Sequence, residues 1–528
     1  MPAKPRAPAA TVRPDGVRRR PPTTTIWICV GLFVLIQLVA CVHFARFAPI
    51  DDAFIAFRYA ANFAGGDGLV FNPGERVEGY TCFLWVVLLA PFAALRIDPV
   101  VTSRILGAVC LALTLLVLTR FSSEELDRPA WSVLIAPLLL ATSAPSALWA
   151  VHGLETPLFT LLLTLAVLTD ARDHGGAEFV AGWSAVWYAL ASLTRPEGLA
   201  IFAASALFWA ASGPRRLTSW PFLRHVLQFA TLVLPHELWR YMYYGELLPN
   251  TFYVKVSLSA PLVARGARYV LHFFGGAGAL LLVAFIPLLF GLRRHRWEAF
   301  LSFTLLVYLA TVAVEGGDAF PAFRFILPIC PLIYLLVQDG VWRIVQLSRT
   351  QPRLQLLAAV AVLLTAVGAV AQGAAGTFEA GNEARGADSF TGAMIRVGLA
   401  LRDRFPSSTR IALNPAGAVP YYSGFHAYDM LGLTDRHIAH TRAPQMGTGF
   451  AGHEKGDGKY ILDRAPDIIL FGNVQISPKK VDDPTTVRWS IKFRSEKDIS
   501  QDPRTTQLYV PDQLSIGGGA HLLYLSRR

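Results

Sequence analysis

Charge is scarce in this chain. Only 16% of its 528 residues are Asp, Glu, Lys or Arg, against 53% hydrophobic residues. A soluble protein of this size needs far more polar surface, so with a mean hydropathy of +0.42 the composition points to an α-helical polytopic membrane protein. Cysteine is sparse too. Five thiols (Cys29, Cys41, Cys82, Cys110 and Cys330) occur without any Cys-x-x-Cys spacing, which argues against a disulfide framework or a zinc site. They read as small packing residues. Low-complexity sequence stops after residue 22 and no internal repeat is visible. A transporter or flippase of a lipid-linked precursor, the competing functional class, would be expected to carry inverted repeats and midplane charges.

The charge that is present is unevenly placed. Residues 1–22 hold Lys4, Arg6, Arg13, Arg18, Arg19 and Arg20 against Asp15 alone, in a chain of net charge +11. Nucleic-acid binding is one reading of such a tail. A disordered basic segment, 1–25, held on the cytoplasmic side by its charge is the plainer one. The apolar run from Ile26 to Ala45 is about 20 residues, enough for one crossing. No small-residue cleavage site precedes the acids that follow, so it reads as an uncleaved first helix.

Twelve apolar segments lie between residues 26 and 372, which bound the expected transmembrane domain. Basic loops at 293–296 and 343–353 belong on the cytoplasmic side. A cytoplasmic N-terminus and an external C-terminal region require an odd number of crossings. About eleven are expected, with one short or re-entrant segment between 155 and 212. Four non-membranous pieces then share the external side: the first loop 47–79, residues 240–272, residues 315–323 and everything from 373. The segment 373–528 reads as one soluble α/β domain, with strand-like runs at 410–413, 467–471 and 521–525 and a helix at 416–424.

The first external loop begins with two adjacent carboxylates, Asp51 and Asp52. If Asp51 opens a helix, positions 51, 55, 58 and 62 form one stripe, aligning Asp51 with Arg58 and Asn62, while Phe54, Phe57 and Ala61 face the lipid interface. One acid could cap this helix. A carboxylate held near a hydroxyl could instead act as a general base, helped by a neighbouring acid that raises its pKa. Both readings stay open at this level. The stretch LWRYMYYGELLPNTFYVK (238–255) crowds six aromatics from Trp239 to Tyr253, with Arg240 and Lys255 near its two ends. It reads either as an interfacial aromatic belt or as a loop binding sugar and phosphate, with Tyr243, Tyr244, Asn250 and Tyr253 as candidate contacts. EGGDAFPAFRF (315–325) adds Asp318 and Arg324; HGLET (152–156) adds Glu155; LTRPEG (193–198) adds Arg195. Charges between apolar segments are functional candidates by default, though Arg195 with Glu197 could simply pair. HEKGDGKY (453–460) reads as a solvated turn, with contact to an acceptor as the other reading.

The order of these motifs, Asp51-Asp52, GLVFNPGERVEGYT, LTRPEG, YYGELLPNTFYVK, GGD…FRF and NPAGAVPYYSGFHAYDMLGLTDRHIAH (414–440), resembles GT-C-type bacterial membrane glycosyltransferases, in particular terminal β-(1→2) arabinofuranosyltransferases. The resemblance runs from about residue 48 to 475. It implies a multi-pass protein of the bacterial inner membrane, a polyprenyl-phosphate-linked sugar donor, a cell-envelope glycan acceptor bound with help from the external domain, and inversion at the anomeric carbon. It also implies an acid of the first external loop as base, which falls on Asp51, the first choice, or Asp52. Arg58, Arg240, Lys255 and Arg324 are then charge-based candidates for the donor phosphate, with a divalent cation as the other possible counter-charge.

Overall fold

The computed structural model describes the chain except residues 1–22, 127, 176–181, 212–217, 258, 276–281, 283–284, 286–295 and 444–445. The basic tail up to residue 22, most of the apolar segment 274–291 and most of the basic loop at 293–296 therefore lie outside the described residues.

The first helix, Thr24–Phe44, is started by Thr23, whose hydroxyl accepts from the Ile26 amide. At 1.5 Å per residue its 21 residues reach about 32 Å, a full hydrocarbon thickness. Ile28, Leu32, Leu35, Val39 and Val42 are exposed along it, the side-chain chemistry that lipid demands. Among the described residues five helices are long and apolar enough to cross a membrane, or six if one bent pair forms a single span. Between 155 and 212 the helices Ser184–Thr194 and Glu197–Ala211 have only 11 and 15 residues, and the bent pair lies earlier in the chain. Thr156–Gly175 is one continuous helix of 20 residues, whereas Ala130–Ala141 and Ala144–Val151 meet at 52°. The break has a local cause. Ser143 caps a new helix by accepting from the Ser146 amide, and Pro145, which has no N–H to give, occupies its first turn.

The last apolar segment does not end at 372. It continues as one helix of 50 residues, Gln355–Arg404, about 75 Å long. The expected boundary between membrane and soluble parts thus falls inside a helix, with no linker there. The C-terminal half shows a core stripe: Ala380, Ala384, Ala387, Thr391, Met394, Gly398 and Leu401 are buried at alternating steps of three and four. Gly398 is required at that contact, because a Cβ there would press on Val419 and Tyr422 of the short helix Ala418–Ser423.

Six strands form the sheet of the C-terminal region: β1 (Arg410–Leu413), β2 (His426–Asp429), β3 (Ile468–Ile469), β4 (Ile476–Ser477), β5 (Tyr509–Ser515) and β6 (His521–Arg527). The order is β2-β1-β3-β6-β4, with β5 also on β6. β1 pairs in parallel with β2 and β3, Ile411 opposite Ala427 and Ile468, and β6 runs antiparallel to its neighbours. Alternation places Ile411, Leu413, Ile468 and Leu522 in the main core, and Ala412, Ile469 and Leu525 in a second core on the opposite face. Both faces are covered, which is why these strands read as apolar runs.

Candidate active site

The helix after the acids runs from Ala53 to Gly65, so Asp51 precedes it and Asp52 occupies its N-cap position. Neither carboxylate caps it: Asp52 has helical dihedrals and makes no capping bond. The expected lipid-facing side is also corrected. Phe54 and Phe57 are fully buried, and Phe54 packs against Tyr421 and Tyr422 of the helix Ala418–Ser423.

Asp51 instead serves that other helix. Its Oδ2 accepts from the Gly417 amide at 3.1 Å and its Oδ1 from the Ala418 amide at 2.9 Å. A Cβ on Gly417 would collide with the Asp51 carbonyl and carboxylate, so glycine is what allows the approach. Seven residues on, Arg58 grips the other end of the same helix. Its Nη1 donates to the Pro420 carbonyl at 2.5 Å and its Nη2 to the Phe425 carbonyl at 2.7 Å. Asp51 lies outside the helix, so the expected stripe does not form as such; instead an acid and a base seven residues apart meet one short helix, the acid at its amide end and the base at its carbonyl end, as the helix dipole favours.

Arg58 has little left for a phosphate. Its Nε donates to the Phe71 carbonyl at 2.6 Å, and Nη2 also reaches Asn72 Oδ1 at 3.2 Å. Burial lowers its pKa to about 10. Asn62 likewise supports the loop, donating to the Val70 and Phe71 carbonyls. Asn72 bridges the loop to β2 through the Ala427 amide and carbonyl. The loop 47–79 is stitched to the C-terminal sheet.

Two other expected phosphate cations are neutralised. Arg240 lies between Glu78 at 2.8 Å and Glu237 at 2.7 Å. Arg324 makes a two-pronged pair with Asp318 at 2.8 and 2.9 Å, under Trp149, Phe320 and Phe325. Arg195 is held by Glu155 at 2.7 Å and Glu197 at 2.6 Å, joining the starts of Thr156–Gly175 and Glu197–Ala211. Buried ions of this kind need partners, and each has found protein rather than a vacancy for substrate.

The aromatic stretch is mostly helix: Trp220–Tyr244 carries its first half and Asn250–Lys255 its end. Tyr244 donates to the Leu69 carbonyl at 2.7 Å, and Asn250, almost fully buried, donates to the Gly432 and Leu433 carbonyls. Tyr243 stacks on Trp239 and lies under Arg76. Its hydroxyl fills the space where a side chain on Gly68 would go, and Gly68 has φ of +90°. Tyr253 bonds Glu246 and packs on His440. Structural tethering explains Tyr244 and Asn250; Tyr253 stays half-buried at the edge.

Two of the predicted groups keep their charge available. Among the described residues, the Asp52 and Lys255 side chains make no hydrogen bond or ion pair, and both are half-buried. They are brought together around His453, which lies within electrostatic reach of Asp52, Lys255 and Glu454. The Lys255 stem runs beside Gly452, its Cε 3.3 Å from where a Cβ would sit. The His453 Nδ1 is 2.9 Å from the Ala451 carbonyl, and burial holds the imidazole below its ordinary pKa, so a neutral ring directs Nε2 elsewhere as an acceptor. HEKGDGKY is thus no solvated turn: Lys455 is buried and donates to the Ala439 carbonyl at 2.5 Å. Sequence reading missed His453 and Gly417. The signals were the Gly-rich framing of GHEKGDG and the NPAG turn before a short helix. Among the described residues no group of three or more His, Cys, Asp or Glu side chains converges to hold a metal.

Burial pushes the Asp51 carboxyl up to about 7; the Ala418 amide opposes this, Asp52 adds to it, and the Gly417 amide again opposes it. Asp51 is an enclosed acid committed to two amides, whereas Asp52 is a half-buried acid whose side chain has no partner among the described residues.

Comparison with known proteins follows the same lines. The crystal structure of ArnT from Cupriavidus metallidurans bound to undecaprenyl phosphate matches with a TM-score of 0.52 at 13% identity, over 77% of this chain and 86% of that one. The fold is that of GT-C membrane glycosyltransferases. In sequence the chain resembles the terminal β-(1→2)-arabinofuranosyltransferase of Corynebacterium glutamicum, 28% identical over 350 residues, 56% of this chain and 49% of that protein. The Mycobacterium tuberculosis protein of the same name is 29% identical over 248 residues, 42% of this chain and 37% of that protein. The chain thus spans about half or less of the length of these relatives. Residues 382–509 match a family described as a domain of unknown function, DUF8728.

Proposed function

We propose that this protein is an inverting glycosyltransferase that moves a sugar, arabinofuranose being the first candidate, from a polyprenyl-phosphate donor to a cell-envelope glycan at the outer face of the bacterial inner membrane. The observation that carries the reading is the unpaired Asp52 carboxylate, which like Lys255 lies within electrostatic reach of His453 where the first loop meets the C-terminal region. Similarity to arabinofuranosyltransferases and to the ArnT fold supports it.

In this reading Asp52 is the base. An acceptor hydroxyl oxygen attacks the anomeric carbon as its proton passes to Asp52. The bond from that carbon to the phosphate oxygen breaks, and polyprenyl phosphate leaves with the electron pair, its charge balanced by Lys255. Asp51 is a positioning residue that fixes the backbone next to Asp52. The test is transfer of radiolabelled sugar from a panel of polyprenyl-phosphate sugars by the purified full chain. Transfer from at least one donor, abolished in Asp52→Asn, is expected. Failure of every donor, or wild-type turnover by Asp52→Asn, overturns the assignment.

A further inference from the structure

A polar groove of about 550 Å³ is lined by Glu246, Arg436, His437, His440, Thr441, Arg442 and Asp457. It joins the end of the aromatic stretch to the C-terminal region. We propose that this groove is a subsite for a neutral, hydroxyl-rich oligosaccharide, the acceptor strand of the reaction proposed above, on which this inference rests.

The charges on its wall are balanced. Arg436 pairs with Glu246 at 2.6 Å, and His437 Nε2 is 2.9 Å from Asp457. His440 also reaches Glu246, at 3.6 Å, so both carboxylates of the wall hold protein nitrogens against which a polyanion would have to compete. A polyol suits the wall better, because each pair offers donors and acceptors side by side. Arg442 is exposed and its guanidinium makes no hydrogen bond or ion pair among the described residues. Flat surfaces accompany the polar groups: His437 stacks on Tyr460 at 4.0 Å and 16°, and Tyr253 lies 4.3 Å from His440. Sugar rings present C–H faces to such planes and hydroxyls to such edges.

The groove also connects to the proposed centre. Asp457 on its wall and His453 beside Asp52 belong to one segment, and four residues span at most about 14 Å. Lys455 between them is anchored to Ala439, within the helix Arg436–Ala439 that carries Arg436 and His437 of the groove. A chain lying in the groove would therefore have its end delivered toward Asp52.

The experiment compares wild type with Arg442→Ala and His437→Ala, both at exposed positions, as full chains in nanodiscs. With an active donor, the acceptor KM should rise about tenfold in each variant, while kcat and the donor KM stay within about twofold. Independently of activity, saturation-transfer NMR with arabinan, galactan and mannan hexasaccharides should show binding of at least one, weakened in both variants. An unchanged acceptor KM, or hexasaccharide signals insensitive to both substitutions, overturns the proposal. So does binding of heparin fragments with none of the neutral oligosaccharides. If no donor supports transfer, the function proposed above fails while the binding arm still decides the groove.

Discussion

The Asp51 carboxylate accepts a hydrogen bond from the Gly417 amide at 3.1 Å, across 366 residues of chain. This contact and its partner at Ala418 lock the start of the loop 47–79 to the C-terminal region, and they separate two acids that look equivalent in sequence. Gly417→Ala should break the lock, because the added carbon overlaps Asp51. Overpacking of this kind costs about 1–3 kcal/mol. A fall in Tm of the purified protein, with accelerated proteolysis between residues 404 and 420, is the expected result; an unchanged Tm would show that the seam can relax freely.

The two acids should respond differently to amidation. Asp52→Asn removes the proposed base and should lower kcat by about 10²–10⁴-fold at unchanged Tm. Asp51→Asn presents an N–H to one of two amides that need an acceptor, so it should lower Tm and reduce transfer less. Steady-state kinetics and thermal unfolding on the same preparations separate the two effects. The opposite ranking would return the base role to Asp51.

Asp51 also predicts a pH dependence. Its carboxyl is raised from 3.8 to about 7 by burial, so between these values the folded state holds a proton that the unfolded state has released. Its contribution to stability is complete below about pH 4 and is lost as pH rises through about 7. Asn does not titrate. The Tm difference between wild type and Asp51→Asn should therefore shrink from pH 5 to pH 8, and a difference that grows over this range would contradict the burial of this acid.

Arg58→Lys tests whether the arginine is structural. Lysine cannot reproduce donation from three nitrogens to Phe71, Pro420 and Phe425, and each charge-assisted bond contributes about 1.5–3 kcal/mol. Strong destabilisation is expected, with the donor KM of the folded fraction unchanged. A stable variant whose donor KM alone rises would instead mark Arg58 as a phosphate ligand.

Lys255→Ala should raise the donor KM about tenfold with Tm and acceptor KM unaltered, since no protein partner is left behind by its removal. Equal effects on both substrates would place it outside the phosphate site.

Much of this protein was determined by sequence alone. The membrane class follows from composition, the strands at 410–413 and 521–527 follow from short apolar runs, and the acid pair and the aromatic stretch stand out because charge and tyrosine are costly or purposeful at an interface. Tertiary structure decided which of these groups are free. Arg58, Arg240, Arg324 and Arg195 look alike as lone cations beside apolar segments, yet each is matched by protein groups, several of them far away in the chain. Asp51 and Asp52 are adjacent, but one step along the backbone turns the first toward Gly417 and leaves the second without a side-chain partner among the described residues, within electrostatic reach of His453. Burial forces an ionisable group to find partners wherever the fold supplies them, and local sequence carries no record of contacts made across hundreds of residues.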